Sequence, residues 1–400
     1  MTGTARNITL YPWFKFFQNL LFWQATWFLF FQSELSAAHA LLIYVFYDIA
    51  TTVLEVPSGY LSDRVGRRFT LILSAVAALV STLMQGFGSE FWVFAVAQFA
   101  LGAHIAFASG TDSSLLYESL AREGREDEVD RHELKAWRFT FVALAISAIT
   151  GGAMALWGLR IPYFATAIAF ALLILTVLRF TEPEQDTSAR DVTDRLRFDA
   201  LRSAFRNPVL LWIFALAALM YGYSHLPFVF GQPFILSSLE SFGLEANAPL
   251  VSGGVTAVMM AISVLTSLIA PGLRDRIGLA GILILAFALQ IVLVGGLALT
   301  GSVFAIGLLM MRMVPDSFSK PFILARIQPL VDDSVRATYL SIQSMTARIL
   351  FAISLYVASG QASDVGGMAY SEIRTILAVY AGVGLAALFA LAVAARGRGI

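Results

Sequence analysis

The chain passes between two long apolar runs through Gly59-Tyr60-Leu61-Ser62-Asp63-Arg64-Val65-Gly66-Arg67-Arg68. The flanking runs, residues 41–58 and 69–87, are each long enough to cross a bilayer as a helix. A short segment with three arginines between two such helices must lie in water, and its positive charge favours the cytoplasmic side. Its glycines suit a tight turn, and the spacing of Asp63 and Arg67 predicts an ion pair. The stretch therefore predicts a basic cytoplasmic loop between two membrane helices.

A weaker copy of this stretch lies half a chain later, in Gly272-Leu273-Arg274-Asp275-Arg276-Ile277-Gly278. Four residues of the loop recur at a constant offset of 212: Leu61, Asp63, Arg64 and Gly66 match Leu273, Asp275, Arg276 and Gly278. The copy has no counterpart of Arg67-Arg68. Such a duplication is typical of transporters built from two similar halves.

The composition indicates an integral membrane protein. Hydrophobic residues make up 58% and charged residues only 14% of the 400, and cysteine is absent. A soluble domain carries about 25% charged residues. The lack of cysteine excludes disulfides, thiolate catalysis and cysteine metal sites. The apolar runs predict twelve spanning helices, helix 1 to helix 12, near residues 11–31, 40–60, 69–87, 91–117, 136–157, 162–180, 208–235, 249–270, 280–299, 302–325, 338–358 and 373–395.

The distribution of basic residues predicts the orientation. With the Gly59–Arg68 loop inside, 22 lysines and arginines fall on the inside and only Arg160 and Arg374 outside. This asymmetry places both termini in the cytoplasm. Ala38-His39-Ala40 is similar to a signal-peptidase site, but the apolar run before it is longer than a signal core, so we keep that run as helix 1. We expect a first bundle at 1–180, a cytoplasmic linker at 181–207 and a second bundle at 208–400.

The loop resembles that between helices 2 and 3 of the major facilitator superfamily, whose pattern is roughly G-x-L-[AS]-D-R-x-G-R-[RK]; every marked position matches. Glu55-Val56-Pro57-Ser58-Gly59 and the end of helix 4, Ser109 to Leu120, are similar to further runs of this family. The resemblance implies an all-α membrane fold with twelve transmembrane helices in two pseudo-symmetric six-helix bundles. It also implies secondary transport by alternating access in the inner membrane.

In this family an acid at the cytoplasmic end of helix 4 pairs with an arginine of the loop, and Glu118 and Arg67 match these positions. The resemblance therefore implies a cytoplasmic gate formed by Gly59, Asp63, Arg64, Gly66, Arg67, Arg68 and Glu118, with Asp275, Arg276 and Gly278 as its echo. Two features depart from the proton-coupled drug exporters of the family. Helix 4 contains no arginine, and helix 5 has Gly151-Gly152 without the preceding Gly-Pro.

Acidic residues within the predicted spans are the candidates for proton coupling. Tyr44, Asp48, Thr51 and Glu55 recur at the spacing of one helical stripe. An ionised carboxylate is costly in lipid, so Asp48 and Glu55 should face protein or water. Asp48, deep in helix 2, is the first candidate, because burial of a carboxyl raises its affinity for protons, and Asp112 is the alternate. For each acid, a purely structural contact between helices stays open.

Polar residues of other spans are candidates for a substrate cavity. They are Gln24, His104 on one face with Asp112, His225 beside the helix-breaking Pro227 and Pro233, Arg348 of helix 11, and Arg312, Asp316 and Lys320 on one face of helix 10. The embedded acids lie mainly in the first half and the embedded bases in the second. Whether they pair across the central cavity or form a cationic wall stays open.

The function predicted from these observations is proton-coupled efflux of a small organic solute. The alternatives are an organic-anion uptake or exchange carrier, and a non-transporting sensor or scaffold on the same fold. No metalloprotease, hydrolase or P-loop motif is present, which argues against an enzyme and against a nucleotide cofactor. We expect no metal and no nucleic acid. The expected partners are the solute, protons and the lipid bilayer, and the expected state is a monomer.

Overall fold

A computed structural model describes residues 2–183, 201–327, 330–331, 333–362 and 368–396, and these residues form helices and turns without any strand. The helices are α1 (Gly3–Gln18), α2 (Trp27–Glu34), α3 (Ala37–Val65), α4 (Arg67–Phe87), α5 (Phe91–Ala108), α6 (Thr111–Arg122), α7 (Val129–Met154), α8 (Ile161–Leu178), α9 (Pro208–Glu240), α10 (Ala248–Leu299), α11 (Ile306–Met310), α12 (Val314–Ile327), α13 (Asp333–Ser359) and α14 (Tyr370–Ala395). This all-helical architecture confirms the predicted fold class.

The helices divide into two compact units. The first contains α1 to α8 together with Pro249–Ala257 of α10, and the second contains the rest of α9 to α14. Of the predicted linker 181–207, residues 184–200 lie outside the described residues. The boundaries of the two predicted bundles therefore stay a prediction.

Within the described residues, nine helices are long and apolar enough to cross a membrane. The difference from twelve has three sources. Predicted helices 8 and 9 form the single run α10, in which only Gly278 has non-helical backbone angles. Predicted helices 1 and 10 are each divided into shorter pieces. The count of twelve stays a prediction.

Helix 1 is not the continuous span 11–31 that the apolar run predicted. It consists of α1 and α2, with a 3-10 turn at Phe22–Ala25 between them. Asn19 ends α1, where its Nδ2 donates to the Lys15 carbonyl at 2.8 Å. The Phe22 amide, which has left the helix, donates to Thr166 Oγ1 of α8 at 3.0 Å. The break is tolerated because a neighbouring helix satisfies the freed backbone group.

The predicted loop Gly59–Arg68 is much shorter than expected. α3 continues to Val65 and α4 begins at Arg67, so the turn consists of Gly66 alone, with φ of 120°. Glycine reaches this backbone region readily because it has no Cβ. Gly59 is helical, and the prediction that it takes part in the turn is wrong. Gly278, 212 residues later, interrupts α10 in the same way with φ of 75°, which extends the internal duplication from sequence to backbone.

Two helices differ from their predicted continuity. Predicted helix 4 breaks at Gly110, whose φ is 74°, so α5 and α6 are separate segments. Predicted helix 10 is divided into α11 and α12, with Arg312 in the turn between them. The second break lies within one turn before Pro315, whose ring clashes with a helical carbonyl four residues earlier and which has no amide hydrogen to donate.

Predicted helix 7, by contrast, continues as α9 through both of its prolines. The expected kink or break at Pro227 and Pro233 does not interrupt the helix, and both prolines are buried. Membrane helices tolerate proline where their neighbours satisfy the freed carbonyl groups.

The core of the first unit lies where α1 and α4 each pack against α6 and α8. Its fully buried members combine aromatic rings with small and aliphatic side chains: Tyr11, Phe14, Leu71, Ala75, Ala78, Leu115, Leu116, Phe170, Leu173 and Val177. Because lipid is as apolar as these side chains, close packing stabilises the bundle more than the hydrophobic effect does. The alanines of α4 allow α8 to approach closely. This packing fixes the positions of the polar residues described next.

Candidate functional site

The Arg67 guanidinium, at the start of α4, joins three polar side chains. Its Nη1 donates to Asp63 Oδ1 at 2.6 Å and to Ser62 Oγ at 2.8 Å, both on α3. Its Nη2 and Nε donate to Glu118 Oε1 of α6 at 3.0 and 3.2 Å. The arginine side chain is only 14% exposed. We call Asp63, Arg67 and Glu118 the Arg67 cluster; it fixes the α3–α4 corner to α6.

A third acid, Glu182, completes this corner and was not predicted from the sequence. Its two carboxylate oxygens accept the backbone amides of Arg67 at 2.6 Å and Arg68 at 2.7 Å. The carboxylate thereby caps the N-terminus of α4, where the helix dipole favours negative charge. A Cβ on Gly66 would lie 2.7 Å from the Glu182 carboxyl carbon. Glycine is therefore favoured by its backbone angles, and an added Cβ would displace the Glu182 carboxylate from the amides that it caps.

The other predicted gate residues lie around this corner. Arg68 Nη2 donates to the Leu178 carbonyl of α8 at 2.9 Å. Arg64 is exposed and lies over the Tyr60 ring, outside the Arg67 cluster. In the second copy, Asp275 contacts the adjacent Arg274 at 3.4 Å, and Arg276 is exposed. The second copy therefore shares the glycine turn of the first but has a different arrangement of charges.

A second polar cluster joins α1, α6 and α7. Lys15 Nζ forms an ion pair with Asp112 Oδ2, and Tyr11 Oη donates to Glu133 Oε1 at 3.1 Å. The side chain of Asp112 is 9% exposed and that of Lys15 is 23% exposed. Asp112 was a predicted candidate, whereas Lys15, Tyr11 and Glu133 were not. The sequence signal was the presence of a lysine and an acid in or beside apolar runs, which is costly unless they are paired.

His104 and Asp112 lie in separate helices, α5 and α6, because the chain turns at Gly110, and their shared face stays a prediction. The Nδ1 of His104 lies 2.8 Å from Ser74 Oγ and 3.0 Å from the Ser74 carbonyl, both on α4. Ser74 Oγ also lies 2.8 Å from the His104 carbonyl, which can accept from the hydroxyl. His104 is 2% exposed, and these bonds hold α5 to α4.

The remaining predicted residues of the first unit are Asp48 and Glu55 of α3 and Gln24. Asp48 is 1% exposed on α3, on the same buried face as Tyr44 and Thr51. Glu55 is half-buried one turn beyond. Gln24 is half-buried in the 3-10 turn between α1 and α2. Their roles in coupling and substrate binding stay predictions.

In the second unit, the predicted row of three charges on helix 10 is incomplete. Asp316 and Lys320 lie one turn apart on α12 and pair at 2.7 Å between Oδ2 and Nζ. Arg312 belongs to the turn before α12, and its guanidinium lies 5.1 Å from the Phe228 ring centre in a cation–π contact. The prediction that all three share one helical face is wrong for Arg312, because of the break before Pro315.

His225 and Arg348 meet at one tyrosine of α9. His225 Nδ1 donates to the Tyr221 carbonyl at 2.7 Å. Arg348 Nη1 donates to Tyr221 Oη at 3.2 Å, and its guanidinium lies 5.4 Å from the centre of that ring. The structure therefore brings together two predicted residues from α9 and α13 that no motif links in the sequence.

Beside these residues, α9, α12 and α13 line a partly open cavity of about 220 Å³. The lining residues are Ala217, Met220, Tyr221, Ser224, Asp316, Ser319, Lys320, Ile323, Leu324, Ile327, Leu340 and Gln343. Asp316 and Lys320 are the predicted members of this set; Gln343 was not predicted. Across the described ranges, no group of three histidine or acidic side chains has the geometry of a metal site.

Charged residues outside the spans form local networks in the α6–α7 connector. Hydrogen bonding to Arg125 at 2.8 Å lowers the pKa of Glu128 to about 2. The hydroxyls of Thr2 and Thr4 donate to Glu123 and lower the pKa of that carboxyl. These exposed contacts agree with the mixed-charge, solvated connector that the sequence indicates.

Comparison with known proteins identifies the family. A family model of the Major Facilitator Superfamily matches residues 13–355, and the chain belongs to this superfamily. Multidrug resistance protein MdtG of Rahnella sp. (strain Y9602) is 24% identical over 262 residues, which cover 63% of this chain. MdtG of Enterobacter lignolyticus (strain SCF1) is 23% identical over 259 residues, again 63% of this chain. The matched regions span 59% and 58% of those two proteins.

Solved structures show the same fold over nearly the whole chain. A mutant of the nucleoside transporter NupG superposes with a TM-score of 0.79 at 15% identity, covering 97% of this chain and 99% of that one. A bacterial homologue of the human lysosomal transporter Spinster gives a TM-score of 0.70 at 14% identity, covering 98% and 96%. These superpositions, at 15% and 14% identity, show that the chain shares its fold with multi-pass membrane transporters.

Proposed function

We propose that this transporter exports a small organic compound across the inner membrane in exchange for protons, with both termini in the cytoplasm. The two curated relatives, each named a multidrug resistance protein, support efflux. The observation that carries proton coupling is the ion pair of Asp112 with Lys15, between helices that are distant in sequence.

The chemistry of this pair suits a coupling site. Protonation of Asp112 removes its charge and leaves the ammonium of Lys15 without that partner inside the bundle. The Glu133 carboxylate, held by Tyr11, lies on the neighbouring helix and provides a second negative charge for Lys15. A proton that enters the cluster thus changes how α1 is held to α6 and α7. Asp48 is the other candidate acid, since it is also buried.

The test uses purified protein in liposomes with an imposed pH gradient, and a compound first found by a thermal-shift screen. We expect Asp112→Asn to abolish accumulation driven by the gradient while downhill movement of the compound continues. Lys15→Gln combined with Asp112→Asn removes both charges and controls for the damage done by one unpaired charge. Asp48→Asn is the matched control at the second acid.

The outcomes separate the assignments. If Asp48→Asn loses gradient-driven accumulation and Asp112→Asn keeps it, Asp48 is the coupling acid. If both variants keep it, protons couple at another residue. If the wild-type protein moves the compound only downhill, it is a uniporter. If the wild-type protein moves no compound in either direction, the sensor or scaffold alternative replaces transport.

The Arg67 cluster is proposed as the cytoplasmic gate of this cycle. It fixes the α3–α4 corner to α6 through charged hydrogen bonds that must break if the corner moves. Asp63→Asn is expected to stop transport while expression is unchanged. Normal transport by this variant would remove the gate assignment.

The second candidate function is uptake or exchange of an organic anion. The contact of Arg348 with Tyr221, which lines the cavity of the second unit, favours it. In that case Arg312→Ala or Arg348→Ala should weaken binding of an organic anion with little loss of stability. Wild-type anion affinity in both variants would leave export as the proposed function.

A further inference from the structure

Three arginines from separate parts of the first unit gather where α8 ends. Arg68, at the start of α4, donates through Nη2 to the Leu178 carbonyl at 2.9 Å. Arg6 of α1 donates through Nη2 to Thr181 Oγ1 at 3.0 Å, and Arg179 directly follows α8. We call Arg6, Arg68 and Arg179 the α8-end arginines. Packing of α1, α4 and α8 thus concentrates three positive charges around residues 178–181.

The acids of this corner have other partners. Glu182 accepts the backbone amides of Arg67 and Arg68 at 2.6 and 2.7 Å. Glu123 accepts two threonine hydroxyls of the N-terminal segment. Across the part of the chain that the structure describes, none of the α8-end arginines forms an ion pair with a carboxylate. Three cations and two acids leave this corner with a net positive charge.

The α8-end arginines keep donors for a ligand. A guanidinium has five N–H donors, and Arg6 and Arg68 each use one of them in the contacts with residues 178–181. The side chains of Arg6 and Arg179 are exposed, and that of Arg68 is half-buried. The planar donor fork of arginine matches the oxygens of a phosphate group. The chemistry of the three side chains therefore favours a phosphate-containing anion.

Exposed apolar side chains continue from these arginines along two neighbouring helices. They are Ile168, Leu172 and Leu175 of α8 and Phe69, Val76 and Val80 of α4, each between 40% and 67% exposed. The three residues of α8 and Arg179 recur at intervals of three and four, so they form one stripe of the helix. Since α4 and α8 cross the membrane by their length and composition, these side chains suit contact with acyl chains.

We propose that the α8-end arginines and the adjoining faces of α4 and α8 bind one anionic phospholipid, such as phosphatidylglycerol. The arginines hold its phosphate and the apolar faces hold its chains. A zwitterionic lipid binds less well, because its ammonium group adds a positive charge to a corner that is already positive. A soluble phosphate compound would leave the apolar faces without a partner. The proposal assumes no transported substrate, direction or coupling ion.

Native mass spectrometry of the purified protein in mild detergent tests the proposal, because it gives a dissociation constant for each lipid that binds. The probes are phosphatidylglycerol and phosphatidylcholine with identical oleoyl chains, and glycerol phosphate, which has the phosphate without the chains. The first phosphatidylglycerol should bind at least about fivefold more tightly than phosphatidylcholine, the contribution of roughly one basic residue. Glycerol phosphate at the same concentration should not displace it.

Variants connect the preference to this corner. Arg6→Gln combined with Arg179→Gln should weaken phosphatidylglycerol binding about 25-fold, at about fivefold for each arginine, and leave phosphatidylcholine unchanged. Both side chains are exposed, so the melting temperature without lipid should stay the same. The matched control is Lys135→Gln combined with Arg138→Gln, two exposed cations at the start of α7. It removes the same charge elsewhere and should weaken binding less than about twofold.

Three results would overturn the proposal. Equal affinities for the two lipids would show that the net charge of the corner selects nothing. Equal losses in the two double variants would show diffuse attraction by the whole basic surface instead of a site. Displacement of the lipid by glycerol phosphate would assign the arginines to a soluble anion. Each result is independent of transport, so failure here leaves proton-coupled efflux in place.

Discussion

Replacing Glu118 should cost more stability than replacing Asp63, although both carboxylates accept hydrogen bonds from Arg67. Glu118 accepts two of the guanidinium donors and its side chain is 21% exposed. Asp63 accepts one donor and its side chain is 50% exposed. Water therefore competes for the aspartate much more than for the glutamate.

The magnitudes follow from these exposures. Hydrogen bonds to charged groups contribute roughly 1.5–3 kcal/mol when they are shielded from water, and exposed ion pairs contribute roughly 0–1 kcal/mol. We expect Glu118→Gln to lower the free energy of unfolding by about 2 kcal/mol. Asp63→Asn should lower it by about 0.5 kcal/mol. The expected loss of transport in Asp63→Asn would then reflect gating rather than folding.

Double-mutant cycles with Arg67→Met isolate the two interactions. The free energy of unfolding is measured by reversible unfolding in mixtures of mild detergent and dodecyl sulfate. The coupling energy of Arg67 with Glu118 should exceed that with Asp63 by a factor of about 4, the ratio of the two estimates above. Arg64→Met, at an exposed arginine outside the cluster, should leave stability unchanged. Equal couplings, or a larger one for Asp63, would refute the reasoning from exposure.

Two further predictions concern the glycine turn and the α6–α7 connector. Gly66→Ala should lower the free energy of unfolding by about 2 kcal/mol, because the φ of residue 66 is positive and the added Cβ would meet the Glu182 carboxylate. The control is Gly59→Ala, which adds a Cβ in open space on a helix and should be neutral or stabilising. Equal effects of the two substitutions in the same unfolding assay would contradict this prediction. The Arg125–Glu128 contact should stabilise the connector at pH values above the ordinary glutamate pKa, and this stabilisation should be lost as the pH falls towards 2. Arg125→Gln should return the pKa of Glu128 to its usual range. Carbon-13 titration of labelled glutamate measures this pKa.

Local patterns predicted most of the helices, and they failed where distant residues decide the backbone. The pattern around Gly66 identified the family, and the offset of 212 placed Gly278 correctly as a turn. The break in helix 1 gave no such signal, since the run after Asn19 is apolar apart from Gln24 and Thr26. It depends on Thr166, which lies 144 residues from Phe22 in sequence.

The candidate site shows the same limit. Asp63 and Arg67 lie one helical turn apart, so their contact could be predicted from spacing, and Glu118 followed from the family pattern. Glu182 and Glu133 were missed because their partners lie far away in sequence. Gln343 was missed because only the packing of separate helices places it at the cavity. The helix 10 prediction failed at Arg312 because the effect of Pro315 on the preceding residues outweighed the regular spacing of charges.

The Lys15–Asp112 pair has a consequence for synthesis of the protein. Its two members are 97 residues apart, so at about 5–20 residues per second the lysine waits roughly 5–20 s for its partner. During that time an ammonium near the cytoplasmic end of the first membrane helix opposes insertion, by less than the roughly 2.5–3.5 kcal/mol of a lysine at the centre of a helix. We expect this helix to be fully inserted only after α6 emerges. A chain truncated before α6 should therefore integrate its first helix poorly, and Lys15→Leu should restore integration.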